Sequence, residues 1–547
     1  MNKKIQNIKI IEKNNFFKDL KEFPQQIDYI LKSRNIFKNF FKNESYTNIL
    51  ICGMGGSAIS GDLIKSLFQD SIYIPIYVNR DYFIPNWVTK NTLIILSSYS
   101  GNTEEILSCY KKCIETSVKP IIIASNGKLL KNALFKGLAQ DKGLYMPEYI
   151  PIFDDKFIAS LAERPFQEIC FHIASLFLSD DIDKHNLRKI VETSINFNAP
   201  LVKLNENTHI LELWHGPTLA FKDFGARFMA QLMGYFLEDT SKPLHILVAT
   251  SGDTGSAIAN SFLGVEGIKV SVLFPKNRVS KIQEQQFTTL GKNITAFEVD
   301  GSFDDCQKLV KTAFLDAELN KTLRLTSANS INIGRLIPQT FYYVYAFSQL
   351  KNTEDVVISV PSGNFGNLTA GIIAMKMGLP VNNFIASTNV NKIVPEYLKS
   401  GVFSPSSSVQ TISNAMDVGN PSNFERILDL FHHSFDKVKD TIIGFYFTDD
   451  ETRSAMQQMY SKFNYIVDPH GAVGYFGLMN YLNIHPEKKG ICLGTAHPAK
   501  FLNVVRPTLN IDIKVPKRLQ TFMLKKKKSV QISNVYGDFV NQIFEQN

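Results

Sequence analysis

The chain is short of the residues that mark secreted, zinc-binding or membrane proteins. Its 547 residues include six cysteines, at positions 52, 109, 113, 170, 306 and 492, and no two of them form a CxxC pair. That usage excludes a disulfide framework and a cysteine-based zinc site, and it fits buried thiols in a reducing compartment. No stretch reaches the ~18 apolar residues of a membrane helix. The opening MNKKIQNIKI lacks the apolar segment of a secretory signal. Charge of one sign is also scarce. A net +8 is mild for this length, and part of it sits in one run, Lys525 to Lys528. With no accompanying motif, that run reads as a solvated tail rather than a nucleic-acid or membrane surface. The expectation is a cytoplasmic chain with neither nucleic acid nor membrane as partner.

What is present is the composition of a globular protein, 44% hydrophobic and 20% charged. The length suggests about three or four structural units. A short β-branched run, a Gly/Ser/Thr/Asn turn and a helical pattern recur in NILICGMGGSAISGDLIKSLF, TLIILSSYSGNTEEILSCYKKC, HILVATSGDTGSAIANSFLG and VVISVPSGNFGNLTAGIIAMKMG. This repetition predicts an α/β fold of parallel sheets, with ligands gathered at the strand C-termini. The first two loops lie before residue 130 and the other two after residue 240. Between them, Leu134 to Asp155 (LFKGLAQDKGLYMPEYIPIFDD) is turn-rich. The expected domains are 1–132, 133–515 and a basic C-terminal tail, 516–547.

In the front module, Gly53-Met54-Gly55-Gly56-Ser57-Ala58 follows a strand and opens a helix, a G-x-G-x-x-A pattern that is weak alone. The loop Ser97-Ser98-Tyr99-Ser100-Gly101-Asn102-Thr103 also opens a helix and is rich in hydroxyls. Two such helix starts suit one phosphate and its sugar hydroxyls. GMGGSAISGD and SSYSGNTEE resemble the sugar isomerase (SIS) domain, in particular the first half of bacterial bifunctional phosphoglucose/phosphomannose isomerases. The resemblance implies sugar-phosphate contacts from Gly56, Ser57, Ser98, Ser100 and Thr103. The half that would supply a catalytic carboxylate and histidine has no second copy here, so binding is expected rather than isomerisation.

The larger module poses a different question in HGPTLAFKDFGARF, His215 to Phe228: why one lysine, Lys222, stands between Phe221 and Asp223. A solvated helix lysine is the ordinary answer. Downstream, however, come SGDTGSA, SANSINIGRL, PSGNFGNLTAG and LGTAHPAKF. A lysine, two Gly-rich loops and a late threonine are the parts needed to hold pyridoxal 5′-phosphate, which requires an amine, phosphate donors and a ring-nitrogen partner. Gly363 and Gly366 would allow close backbone approach, Asn364 and Asn367 would add amide donors, and Phe365 would exclude water. Thr495 would face the ring nitrogen as a neutral hydroxyl.

Together with LFKGLAQDKGLYMPE, LWHGPTLAFKDFGARFMAQLMGYF, LTSANSINIGRLIPQ and ASTNVN, these motifs closely resemble the threonine synthase family, whose fold is that of fold-type II pyridoxal phosphate enzymes (tryptophan synthase β-like). The similarity covers about residues 133 to 515. It implies Lys222 as the Schiff-base lysine, and Gly363, Asn364, Phe365, Asn367 and Thr495 as cofactor contacts. The implied reaction turns O-phospho-L-homoserine and water into L-threonine and phosphate, with Lys222 also moving protons. Phe221 and Phe224 would desolvate its amine. Ser251, Thr254, Asn329, Ser330, Asn332 and Arg335, with Lys276 as a further cation, are the candidates for the substrate phosphate. Asp223 is expected to orient its loop, and His470 to border the site or to be structural. The alternatives are a sugar-phosphate-responsive enzyme and a catalytically impaired fusion. A homo-oligomer is compatible with each.

Overall fold

A computed structural model describes residues 46–68, 73–98, 103–115, 118, 120–124, 128–137, 143–147, 149–237 and 242–545. These divide into two compact units, one of residues up to Ser97 with Glu104–Ile122, the other from Ile123 onward together with Ser98 and Thr103. The sequence rhythm places the expected boundary near residue 132.

The first sheet has the strand order β2-β1-β3-β4, from β1 (Asn48–Cys52), β2 (Ile76–Asn79), β3 (Thr92–Ser98) and β4 (Pro120–Ala124). β1 runs parallel to both β2 and β3. Leu50, Cys52, Ile94, Leu96, Ile106 and Cys109 form its core.

The second unit holds two further sheets. One has the order β10-β7-β8-β9-β15, from β7 (Leu244–Ala249), β8 (Ile268–Pro275), β9 (Ile294–Asp300), β10 (Arg324–Ser327) and β15 (Val530–Ser533). The other has the order β13-β12-β11-β14-β6-β5, from β5 (Leu201–Lys203), β6 (Thr208–Glu212), β11 (Val356–Pro361), β12 (Val381–Thr388), β13 (Ile442–Tyr446) and β14 (Lys489–Gly494). Among the described strands of this unit, only β5 and β6 pair antiparallel. β7 and β11 are buried at every position, as strands covered by helices on both faces must be. Their sequences, LHILVA and VVISVP, accordingly run apolar instead of alternating. Each Gly-rich loop of the larger module leaves the C-terminal end of a parallel strand and opens a helix: Asp253–Phe262 after β7, and Gly366–Lys376 after β11.

The C-terminal segment is not the tail that its charge suggested. β15 pairs with β9, and the helix Tyr536–Glu545 buries Phe539 and Ile543 against Phe297, Leu309 and Val310. Within the basic run, Lys527 bridges Glu284 and Glu298. Lys528 donates its backbone N–H to the Thr288 carbonyl at 2.9 Å. Net charge misread the segment because its apolar residues, Val530, Ile532, Phe539 and Ile543, are too widely spaced to stand out locally. Among the described residues, no helix is long and apolar enough to cross a membrane.

Candidate active site

Lys222 is the first residue of the helix Lys222–Phe236 and lies in the wall of a cleft. Two short segments place it. The Phe221 N–H donates to the Thr495 carbonyl at 2.8 Å, and Ala220 bridges Ala496, so lysine and threonine enter the same pocket side by side. The preceding turn is held by Asp223, which is fully buried and accepts from the Thr218 N–H (2.8 Å) and hydroxyl (2.7 Å). Gly216 is required there, because a Cβ would sit 2.4 Å from the Asp223 carboxylate. The aspartate therefore orients the loop, as expected. Burial pushes its carboxyl up to about 6, against the Thr218 hydrogen bonds that lower it.

Lys222 is half-buried and lines the cleft. Burial lowers its ammonium to about 8, with Asp253 opposing and Arg335 and Lys500 assisting. Its amine lies 5.9 Å from the centre of the Phe221 ring. Phe224 does not line the cleft, but packs edge-on against Phe197 and Tyr342 in the core.

The loop after β11 forms the facing wall, from Pro361 to Asn367. Gly363 has no room for a side chain, since a Cβ would lie 2.5 Å from the Ala415 carbonyl. Phe365 adopts the left-handed region at φ 61° and packs on Phe424. The two asparagines divide their work. Asn364 lines the cleft, where its amide donates to the Ser330 hydroxyl (2.6 Å) and its oxygen accepts from the Ser422 N–H (2.7 Å). Asn367 accepts from the Tyr342 and Tyr343 hydroxyls, while its amide nitrogen is buried without a partner. Asn329 Oδ1, Asn414 Oδ1 and Arg335 Nε are also buried and unpartnered in the residues around the cleft. Around a cleft, buried polar atoms of this kind are available to bond a ligand. A poised amine, an orphan amide donor, a glycine loop opening a helix and a nearby hydroxyl, Thr495, fit pyridoxal phosphate.

Of the substrate-phosphate candidates, Ser251, Thr254, Asn329, Ser330 and Arg335 line this cleft. Arg335 is buried, donates to the Ala328 carbonyl at 3.0 Å and has its pKa lowered by burial to about 10. Asn332 does not belong to the set. Its side chain caps the helix Ile333–Leu336 through the Gly334 N–H and donates to the carbonyls of Leu134 and Ser327. Lys276 is exposed and lies outside the lining. His470 both lines the cleft and supports it: its Nδ1 donates to Asp468 at 2.6 Å, so Nε2 accepts the Ala415 N–H at 3.2 Å.

Sequence reasoning passed over Asn414 to Val418, Gln339 and Phe303, which also line the cleft. Nothing local in NAMDV signals a ligand wall; only the approach to Gly363 brings it there. Asp253 and Lys500 were legible in principle, as charged residues inside SGDTGSA and LGTAHPAKF.

In the front unit, Gly56 is exposed and the Ser57 N–H is already bonded to the Met54 carbonyl at 3.1 Å. The Ser98 and Thr103 hydroxyls bond each other at 2.7 Å. Ser100 lies outside the described residues.

Three family models match the chain in series. They are threonine synthase N terminus over residues 124–195, pyridoxal-phosphate dependent enzyme over 193–494, and threonine synthase, C-terminal, over 471–542. None of the three covers the front sheet, so the resemblance to sugar isomerases gains no support from them. Threonine synthase of Haemophilus influenzae is 46% identical over 389 residues, 71% of this chain and 90% of that protein. That of Escherichia coli is 44% identical over 389 residues, with 71% and 90% covered. The crystal structure of the Escherichia coli threonine synthase superposes with a TM-score of 0.72 at 41% identity, covering 76% of this chain and 97% of that one. The pyridoxal-phosphate-bound Brucella melitensis threonine synthase also gives 0.72, at 33% identity and 77% and 96% coverage. Together with the lysine cleft, these matches identify the chain as a member of the threonine synthase family of pyridoxal-phosphate-dependent lyases.

Proposed function

We propose that this chain binds O-phospho-L-homoserine in the Lys222 cleft and converts it, with water, into L-threonine and phosphate. The observation that carries the reading is the placing of one partly deprotonatable lysine in the same pocket as the glycine loop, Thr495 and a buried arginine. When bound there, pyridoxal phosphate supplies an electron sink for negative charge at the substrate carbons. Lys222, Gly363, Phe365, Asn367 and Thr495 would hold it, the orphan Asn367 amide being a donor for an anionic oxygen. The remaining work falls to the chain itself. A lysine with a pKa near 8 has a useful fraction of neutral amine at neutral pH, and can bond an aldehyde or take a proton from Cα or Cβ. Arg335, with Ser251, Thr254, Asn329 and Ser330, would grip the phosphate that leaves from Cγ. Guanidinium suits that role through paired N–H donors. Phe221, Phe303 and Met416 exclude bulk water from part of the wall. All six cysteines are buried and none forms a disulfide, which fits a reducing cytoplasm.

The test is phosphate release from O-phosphohomoserine by the full chain. Lys222→Ala should abolish both the release and the visible absorbance of the bound cofactor. Release unchanged in that variant would sink the reading.

Gly56 and Ser57 of the front unit carry a second, separate reading, sugar-phosphate binding. Its support is the motif loop whose helix, Gly55–Phe68, follows β1 of a parallel sheet. Calorimetric titration with glucose 6-phosphate decides it, with heat expected for the parent chain and none for Ser57→Ala. No heat from the parent chain ends this reading.

A further inference from the structure

Bonded to the turn that carries Lys222 is a buried ion pair that the proposed reaction does not use. Lys500 Nζ is 2.7 Å from Asp253 Oδ1, and the two side chains are 0% and 5% exposed. Asp253 opens the helix after β7, and Lys500 lies in the turn Pro498–Phe501 that follows Thr495. Both groups are held from further sides. Gln283 donates to Asp253 Oδ1 at 2.7 Å, and Lys500 donates to the Thr218 carbonyl at 2.7 Å. Thr218 is the residue whose N–H and hydroxyl hold Asp223. The pair is thus tied to the turn that carries Lys222.

Stability alone explains it poorly. A buried ion pair is often no better than an apolar pair of the same volume, because desolvation offsets the attraction. Its surroundings suggest a different use. The charges acting on Lys222 are those of Asp253, Arg335 and Lys500; Arg335 lines the same cleft, and Asp253 stands in the chain between Ser251 and Thr254, which line it too. Both lysines act on Asp253, the contact with Lys500 being direct, while Lys500 and Arg227 act on Asp223. His470 and Asp417 stand in the cleft wall. Asp253 is therefore the carboxylate acting on Lys222. Left to itself in so dry a setting, it would hold Lys222 as an ammonium, unable to attack an aldehyde or accept a proton.

We propose that Lys500 is a positioning residue for Lys222: by claiming the Asp253 carboxylate, it leaves the Lys222 amine neutral and free to bond the cofactor. The inference rests on the reading of Lys222 as the cofactor-bearing lysine. Lys500 touches neither cofactor nor substrate in this scheme and acts through Asp253.

The experiment measures the Lys222 proton directly. Full-length protein stripped of cofactor is trace-labelled with acetic anhydride across a pH series, and Lys222 acetylation is read by peptide mass spectrometry. Lys500→Met should raise the Lys222 midpoint by about one pH unit or more, a roughly tenfold loss of free amine at neutral pH. The rate of pyridoxal phosphate capture, followed by visible absorbance, should fall with it. Lys500→Arg, and Lys500→Met combined with Asp253→Asn, should each return the midpoint to that of the parent. An unmoved midpoint in folded Lys500→Met overturns the proposal, as does a double variant raised as far as the single one. If the single variant does not fold, the double variant decides: a parent-like midpoint supports the proposal and a raised one overturns it. A parent chain that captures no cofactor at Lys222 would instead remove the proposed function.

Discussion

At the scale of single residues, Asp223 shows how burial and hydrogen bonding pull a carboxyl in opposite directions. Its folded pKa of about 6 exceeds the ordinary 3.8, so the folded chain binds that proton more tightly than the unfolded one. The stabilising contribution is complete below the ordinary value and is lost as pH rises through about 6, roughly 3 kcal/mol in all. Asp223→Asn removes the titration while giving up one acceptor for Thr218. Urea unfolding should therefore show the variant well below the parent near about pH 4 and closer to it near about pH 7. A constant gap would refute the assignment. Asp253 has the opposite sign: burial would raise it, but Lys500 and Lys222 pull it below the usual carboxylate range. Its contribution is lost only under strong acid. Lys222 was legible from its neighbours in sequence, whereas the partners that govern these charges come from distant segments.

At the scale of elements, the parallel strands and the loops that follow them were readable, because β-branched runs ending in Gly/Ser/Asn turns leave few alternatives. Asn332 and the C-terminal segment were not. The asparagine stands in a motif full of polar residues, and only a helix starting at Ile333 makes it a cap. The last strand needs β9 as an edge to pair with, and its helix needs the surface of Phe303–Leu315 to bury Phe539. Phe539 is fully buried, so Phe539→Ala should cost about 3–5 kcal/mol through transfer and cavity terms. Thermal unfolding should show a clear fall in midpoint. A variant within about 0.5 kcal/mol of the parent would mean that the segment is not part of the core.

At the scale of the whole molecule, the cofactor and substrate candidates that line the cleft, and all three family matches, lie in residues from 124 to 542. A chain beginning at Ile123 should therefore fold and capture pyridoxal phosphate as fast as the full chain, by stopped-flow absorbance. Capture slowed more than about tenfold, a difference near 1.4 kcal/mol, would show that the front unit contributes to the site. By itself the sequence pointed to the class of fold, a candidate lysine and a glycine loop. Such signals are local: strand periodicity, turn chemistry and motif order reside in consecutive residues. Only tertiary structure decided which polar groups are bonded within the chain and which are left for ligands. Asn364 and Asn367 are three positions apart, yet one is bonded by Ser330 and Ser422 while the other keeps a buried N–H without a partner. That difference arises from segments that meet in space, where burial and hydrogen bonding, rather than residue type, set what a side chain can do.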